Sequence, residues 1–432
     1  MDFGKGIIIP IIKDKLTSSN DMNNYRGITL INVISKLFEI VILELCEIHL
    51  VTHDLQFGFK KSTGCSNAIF VMSETVKYFL NNGSNVFLAA LDIKKAFDRV
   101  NHYKLFTSLY KSGVPLWIIA ILVDWYSKLS VSAQWNNAYS YSYNVKSGVR
   151  QGSALSPALF NSFINPCINE AEATTAGCRI GNRFVGIVMY ADDILLLSPT
   201  VGGLQMLLNK CSSFFTDHCL QFNTSKSNCM AIGKASTLAL EPLLLQEAEL
   251  NWCDSFKYLG VNFATGKQLM VNTDTIKRKI FAACNSILSK TREIDELTRL
   301  SLIESSCLPI LTYAISALNL SEAQVNDLNI AWNSVYRNIF GFHRWESVKE
   351  CIAGLGRVDF KHIRLRTCIF FVKNGMRSEN APFKYMLLRY CISDFESLCE
   401  RYTINLEVKN VYDMPNYSIT QAVKEAFSNL IR

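Results

Sequence analysis

The sequence has no Cys-x-x-Cys pair and no cysteine–histidine spacing of a zinc site, although it holds fourteen cysteines. A zinc-organised fold is therefore excluded, and the scattered thiols read as small buried apolar residues. A signal peptide is also missing. The opening MDFGKGIIIPIIKDK has neither a long apolar core nor a cleavage site, so a reducing intracellular setting is expected. No hydrophobic run is long and clean enough to read as a membrane span. The greasiest windows, Ile28 to Val51 and Ser301 to Leu320, are broken by Lys36, Glu39, Glu44 and Glu47 in the first and by Glu304 and Pro309 in the second, and both read as core helices. Strong charge of one sign is absent too. A net charge of +7 is only mildly basic, and by itself it names no polyanionic partner.

What is present is apolar material for a sizeable core. With 432 residues, 49% of them hydrophobic, the chain should fold into two or three subdomains. The central stretch is Phe184 to Pro199, FVGIVMYADDILLLSP. Two aliphatic runs flank Ala191-Asp192-Asp193, which predicts a hairpin with adjacent carboxylates at its tip. Aspartate is a common turn residue, so this pair alone signifies little. A second stretch, NVFLAALDIKKAFDRV from Asn85 to Val100, also runs as an apolar strand into a carboxylate, Asp92. If the strands are neighbours, Asp92, Asp192 and Asp193 meet at the edge of a hydrophobic core. Desolvation and mutual repulsion disfavour that cluster. A divalent cation relieves both, and Mg2+ takes carboxylate oxygens together with substrate phosphates. Two such ions roughly 4 Å apart can clamp an in-line phosphoryl displacement.

These residues resemble motifs of the reverse transcriptases of non-LTR, LINE-like retrotransposons. Tyr190-Ala191-Asp192-Asp193 resembles the YxDD box, and Leu91-Asp92-Ile93 with Ala96-Phe97-Asp98 the first palm motif. Gly148 to Pro157, GVRQGSALSP, with Leu159-Phe160-Asn161, resembles the motif that follows. The resemblance runs from about Ile7 to Phe263 and fades beyond. It implies an α/β right-hand polymerase: fingers and a palm of antiparallel strands over 1–265, a helical thumb over 266–320, and a C-terminal helical region over 321–432 whose role it does not give.

The same resemblance supplies expected roles. Asp92, Asp192 and Asp193 would be the catalytic metal ligands for two Mg2+ ions, with Mn2+ as a possible substitute. Tyr25-Arg26-Gly27-Ile28 resembles the YRPI element, with Gly27 where proline is usual, a change expected to loosen that loop. Gln56-Phe57-Gly58-Phe59-Lys60-Lys61 resembles the fingers motif QxGF. Arg26, Lys60 and Lys61 are candidates for the incoming triphosphate, the alternative being solvated loop cations. Phe97 falls at the position of the steric gate against a ribose 2′-OH, or is ordinary core. Gly148 and Gly152 would let a nucleotide or template approach, and Gln151 would hydrogen-bond it. Lys226 aligns with a lysine near the leaving pyrophosphate. Tyr258, Leu259 and Gly260 resemble the turn that grips the primer end. Partners would be an RNA template, a DNA primer and dNTPs, with no membrane, in the nucleus or cytoplasm.

Local patterns complete the reading. Ile7 to Ile12 reads as a strand, followed by a polar loop through Asn24. Val33, Ile34, Leu37, Val41, Leu45 and Ile48 recur at helical spacing, predicting an amphipathic helix with Lys36 and the glutamates outward. Lys104 to Leu129 predicts two helices interrupted at Gly113-Val114-Pro115, Val131 to Val145 a hairpin, and Ser156 to Glu170 one helix. The stripe Ile276, Ile280, Ala283, Ile287 and Leu288, decorated by Lys277, Arg278, Lys279, Lys290 and Arg292, fits a thumb following a duplex. A second basic run with aromatics, Arg337 to Arg377, suits nucleic acid or a solvated face over a core. Nothing resembles an endonuclease, an RNase H domain or a zinc knuckle, so the chain is expected to be a truncated piece of an element. The rival expectation is a non-catalytic, nucleic-acid-binding relic.

Overall fold

A computed structural model of the protein describes residues 3–13, 17–404 and 408–431; residues 14–16 of the polar loop before Asn24 lie outside the described residues. The chain forms two compact units, each assembled from separated stretches: 1–61, 87–229 and 240–252 in the first, 62–86, 230–239 and 253–432 in the second. The units interleave along the chain, so they are a different division from a linear one into fingers, palm and thumb.

In the first unit, strand Asp193–Ser198 lies between Val86–Asp92 and Ile187–Tyr190, antiparallel to both. Ile194 to Leu197 are all buried, as a continuous apolar run requires when both faces of a strand are covered. Helix Val201–Asp217 turns Leu204, Leu207, Leu208, Cys211, Phe214 and Phe215 inward and begins at Thr200, whose side chain accepts from Gly203 N–H.

A second sheet pairs Lys5–Ile12 antiparallel with Tyr25–Ile31 and parallel with Ser130–Trp135. Ala138–Tyr139 and Tyr143–Asn144 pair with Ser130–Trp135, giving the expected hairpin. Gly27 sits inside this sheet, opposite Pro10. The expectation of a loosened loop is thereby corrected: glycine here weakens a paired strand position without opening it.

Helix Val33–Cys46 keeps Lys36 and Glu44 outward as expected but departs from the expected orientation in its apolar stripe and at Glu39. Its buried residues are Ser35, Glu39, Ile42 and Cys46, whereas Val33, Ile34, Leu37, Ile40, Val41 and Leu45 are exposed. The periodicity is helical as expected, but the apolar stripe faces out and Glu39 faces in. The Gly113–Pro115 break separates helices His102–Lys111 and Leu116–Ser127 as predicted. The expected single helix from Ser156 is two, Ser156–Ile164 and Pro166–Glu172. Pro166 has no N–H to continue the first and suits the first turn of the second.

The second unit is mainly helical. Trp332 and Tyr336 of helix Glu322–Phe340 are fully buried among Ile280, Leu300, Ile303, Cys307, Leu311 and Phe360. Helix Cys65–Asn81 belongs to this unit, and its Phe70 meets Phe371 and Phe383 edge to face at 5.4 and 5.3 Å between ring centroids. Glu296–Ala317 has the length and apolarity of a membrane span, but Leu300, Ile303, Cys307 and Leu311 bury one side of it in this core. Much of the second basic run is tied down inside the unit. Arg357 pairs with Glu304 at 2.9 Å, Lys373 is buried and donates to Asn416 Oδ1 at 2.9 Å and to the Met414 carbonyl, and Arg377 donates to the Tyr412 carbonyl at 2.7 Å.

Candidate active site

Strand register brings the carboxylates together. Asp193 is the direct cross-strand partner of Asp92, and on the other side of its strand it pairs with Tyr190. Opposed residues in an antiparallel pair project from the same face with Cβ atoms about 5 Å apart. Asp192 completes the group from the turn. Burial pushes its carboxyl up, and the Asp92 charge pushes it further, against the pull of Arg26. The turn is tight: Ala191, between Tyr190 and Asp192, has φ 54°, in the left-handed region.

The chain beyond Asp92 is anchored by the segment Gln221–Ser227. Asn223 N–H donates to the Asp92 carbonyl at 2.7 Å, Asp92 N–H donates to Ser227 Oγ at 3.1 Å, and Lys94 N–H donates to the Gln221 carbonyl at 2.8 Å. These bonds fix where strand Val86–Asp92 ends, hence where its carboxylate lies.

The residue types suit hard divalent cations. Among the described residues no three His, Cys, Asp or Glu side chains form a ready-made metal cage. The adjacent charges of Asp92 and Asp192, the latter disfavoured by burial, are what a cation would relieve.

A group of cations flanks the carboxylates. Lys13, at the end of strand Lys5–Ile12, has its ammonium pushed down by burial and then by Lys226, Arg26 and Lys95, with Asp98 pulling the other way. Arg26 acts on both Asp192 and Lys13. Lys13 was missed in the sequence because a lysine beside a polar loop reads as a solvated cation; in the fold it is exposed, donates to the Asn23 carbonyl at 3.0 Å and lies within electrostatic reach of Arg26 and Lys226. Of the other candidates, Lys60 donates to the Thr52 and His53 carbonyls at 3.3 and 3.1 Å. Lys61 pairs with Glu47 at 2.8 Å in solvent. Neither is among the groups acting on Lys13.

Phe97 follows Asp92 on a 3-10 turn, Ala96–Arg99. Its ring stacks on Phe160 at 4.6 Å between centroids and meets Phe59 edge-on at 6.2 Å. It is half-buried, with one side in core and the rest accessible. Gln151 reaches Asp98 Oδ1 at 3.4 Å, and its carbonyl accepts from Thr29 N–H at 2.7 Å. The neighbouring glycines allow a close approach, but to the protein's own backbone. A Cβ on Gly148 would lie 2.7 Å from the Asp98 carbonyl oxygen, and one on Gly152 2.7 Å from that of Thr29, with φ +90° and +109°. They lock the Gln151 loop against the strand and turn that precede it.

That loop has a buried electrostatic anchor. Arg150 donates to Glu39 at 2.9 Å and stacks over Trp125, and Ala154 N–H donates to the other Glu39 oxygen at 2.8 Å. In the second unit, Leu259-Gly260 forms the two-residue turn between strands Ser255–Tyr258 and Val261–Ala264, both residues at positive φ, as a type I′ hairpin demands. Tyr313 Oη donates to the Leu259 carbonyl at 2.8 Å, while the Tyr258 side chain is buried. Two clefts of the first unit, about 790 Å3 beside Lys94, Phe222 and Gln246 and about 740 Å3 beside Phe38, Ile121 and Trp125, do not include the aspartates, which stand at an open edge.

Residues 12–263 match the family described as reverse transcriptase (RNA-dependent DNA polymerase). The chain is similar to the Pol polyprotein of the type-2 retrotransposable element R2DM of Drosophila melanogaster, 28% identical over 223 residues, covering 49% of this chain and 21% of that protein. It is also similar to the Pol polyprotein of the type-1 element R2 of Popillia japonica, 21% identical over 357 residues, covering 78% and 49%. The chain thus spans between about a fifth and a half of the length of these curated relatives. Among solved structures, telomerase from Candida albicans with a telomeric RNA fragment aligns at TM-score 0.47 and 12% identity, over 95% of this chain and 65% of that one. The chain belongs to the reverse transcriptase family, and its similarity is to the polymerases of non-LTR retrotransposable elements.

Proposed function

We propose that the chain performs RNA-templated DNA synthesis, adding deoxynucleotides to a primer 3′-hydroxyl. The observation that carries this reading is the cross-strand pairing of Asp193 with Asp92 beside Asp192, in a chain of this family. Reverse transcriptases in general use divalent metal ions; here Asp92 and Asp192 would hold two Mg2+ ions, with Asp193 completing the set. When bound, those ions polarise the α-phosphate and lower the pKa of the primer hydroxyl.

The chain's own residues do the rest. Arg26 and Lys13, with Lys226 beside them, neutralise charge building on the β- and γ-phosphates as the bond to the α-phosphorus breaks. Lys226 would also hand a proton to departing pyrophosphate. Phe97 presents its ring where a ribose 2′-OH would fall, which favours deoxynucleotides. Gln151, held by Asp98 and Thr29, orients the nucleotide or template. Lys60 and Lys61 would have to leave their present partners to join, as Lys13 would have to leave the Asn23 carbonyl. The Tyr258–Gly260 turn is the element assigned to the primer end, and the basic helix Asp274–Lys290 the one assigned to duplex phosphates, the role of a thumb. Partners are therefore an RNA template, a DNA primer and dNTPs, in the nucleus or cytoplasm.

Primer extension tests the reading: purified chain, RNA template with annealed DNA primer, dNTPs and Mg2+, with Asp192→Asn alongside. Extension by the parent and not by the variant is the expected result. Duplex binding with a steep salt dependence but no extension by either would make the chain a non-catalytic binder instead.

A further inference from the structure

The turn that carries Asp192 and Asp193 is braced from outside its hairpin by one buried side chain. Residues 55–57 run parallel to strand Ile187–Tyr190: Met189 N–H donates to the Leu55 carbonyl and Phe57 N–H to the Met189 carbonyl, both at 2.8 Å. Between them Gln56 is fully buried, and its Oε1 accepts from Ala191 N–H and from Gly58 N–H, each at 2.9 Å. Ala191 is the turn residue at positive φ. Gly58 lies so close to it that a Cβ there would be 2.4 Å from Ala191 N and 2.9 Å from the Tyr190 carbonyl carbon. Asn161, in the helix after the Gln151 loop, donates to the Gly58 carbonyl at 2.6 Å.

We propose that Gln56 and Gly58 are positioning residues, which hold Ala191 in its left-handed conformation and so set Asp192 and Asp193 against Asp92. The role presupposes the polymerase reading of those carboxylates. An alanine in the left-handed region sits at a cost of about 1 kcal/mol or more, so the turn has a more relaxed alternative unless something outside selects this one. Gln56 selects it by accepting from the N–H of the strained residue. Gly58 permits it, because any side chain would push the turn away. The Gln56 amide nitrogen has no partner among the described residues, so only the acceptor oxygen does the bracing. Glutamate, held neutral at this fully buried position beside the aspartates, keeps that acceptor oxygen, whereas methionine, of similar length, does not.

The test compares Gln56→Met, Gln56→Glu and Gly58→Ala with the parent in three measurements. Amide exchange at Ala191 should speed up in Gln56→Met and stay slow in Gln56→Glu. Mn2+ affinity, measured without nucleic acid, should fall in Gln56→Met and Gly58→Ala by roughly ten- to hundredfold, as for loss of an outer partner of a metal ligand. In primer extension kcat should fall by a similar factor, with duplex affinity and the KM for dNTP little changed, and Gln56→Glu should restore most of the rate. Unchanged Ala191 exchange and Mn2+ affinity in Gln56→Met would overturn the proposal. A parent that never extends primer would sink the polymerase reading alone, since exchange and Mn2+ binding still decide the role of Gln56.

Discussion

The Arg150 guanidinium and the Glu39 carboxylate meet at 2.9 Å with side chains only 4% and 0% exposed. Two charges so far from water are held by each other, by Trp125 under the guanidinium and by Ala154 N–H on the carboxylate. Removing one partner strands the other. Arg150→Met should destabilise the first unit by about 3–5 kcal/mol, whereas Glu39→Leu with Arg150→Met should lose much less than the two single losses added together. Urea unfolding followed through the first unit's tryptophans checks this; additive losses would mean that the pair is not coupled.

Asp192→Asn should separate stability from catalysis. Burial and Asp92 both disfavour the Asp192 charge, so neutralising it should raise the melting temperature of the metal-free protein. Extension should fall at least about a thousandfold, because several kcal/mol of charge stabilisation in the transition state goes with the ligand. Melting curves with and without Mg2+, beside extension rates, show both signs.

Lys13→Met should raise the KM for dNTP by about ten- to hundredfold, the range for losing one charge-assisted hydrogen bond. Its folded-state value lies below that of free lysine, because of burial and then Lys226, Arg26 and Lys95. The folded chain therefore releases this proton before the unfolded chain does. Its contribution to stability is fully present above the ordinary lysine value and is lost as pH falls through the lowered one. Pyrophosphate should offset that loss near neutral pH. A pyrophosphate-dependent rise in melting temperature that survives Lys13→Met would remove Lys13 from the site.

Phe97→Ala should admit ribonucleotides. The ring stacked on Phe160 would be gone from the side that faces the sugar, and discrimination against rNTPs, read as a ratio of kcat/KM values, should drop by about tenfold or more. An unchanged ratio with a lowered melting temperature would make Phe97 a core residue.

Much of this was legible in the sequence. The aliphatic runs around Ala191-Asp192-Asp193 became Ile187–Tyr190 and Asp193–Ser198, paired with the strand ending at Asp92. The Gly113–Pro115 break fell between two helices. What stayed hidden depends on partners far along the chain. Periodicity identified a stripe on helix Val33–Cys46 but not which side is buried, because Glu39 goes inward only when Arg150 meets it. That Gly148 and Gly152 permit a close approach was a fair inference, yet what they approach, Asp98 and Thr29, is set by tertiary contact. Gln56 stood inside a motif already noticed, but a buried amide's hydrogen-bond partner has no signature in the sequence.

The packing of Phe70 on Phe371 and Phe383 bears on the order in which the chain is made and folded. Phe70 leaves the ribosome with the fingers motif, whereas its partners arrive some three hundred residues later, beyond residue 263, where the match to the family model stops. The end of the family match is thus not a boundary of folding. A polypeptide ended there would keep every aspartate of the site and leave Phe70, with the apolar side of helix Cys65–Asn81, without its cover. Completion of the second unit waits for closure of the long loop between Phe70 and Phe371, a slow, non-local step during which that surface is open to chaperones or to aggregation.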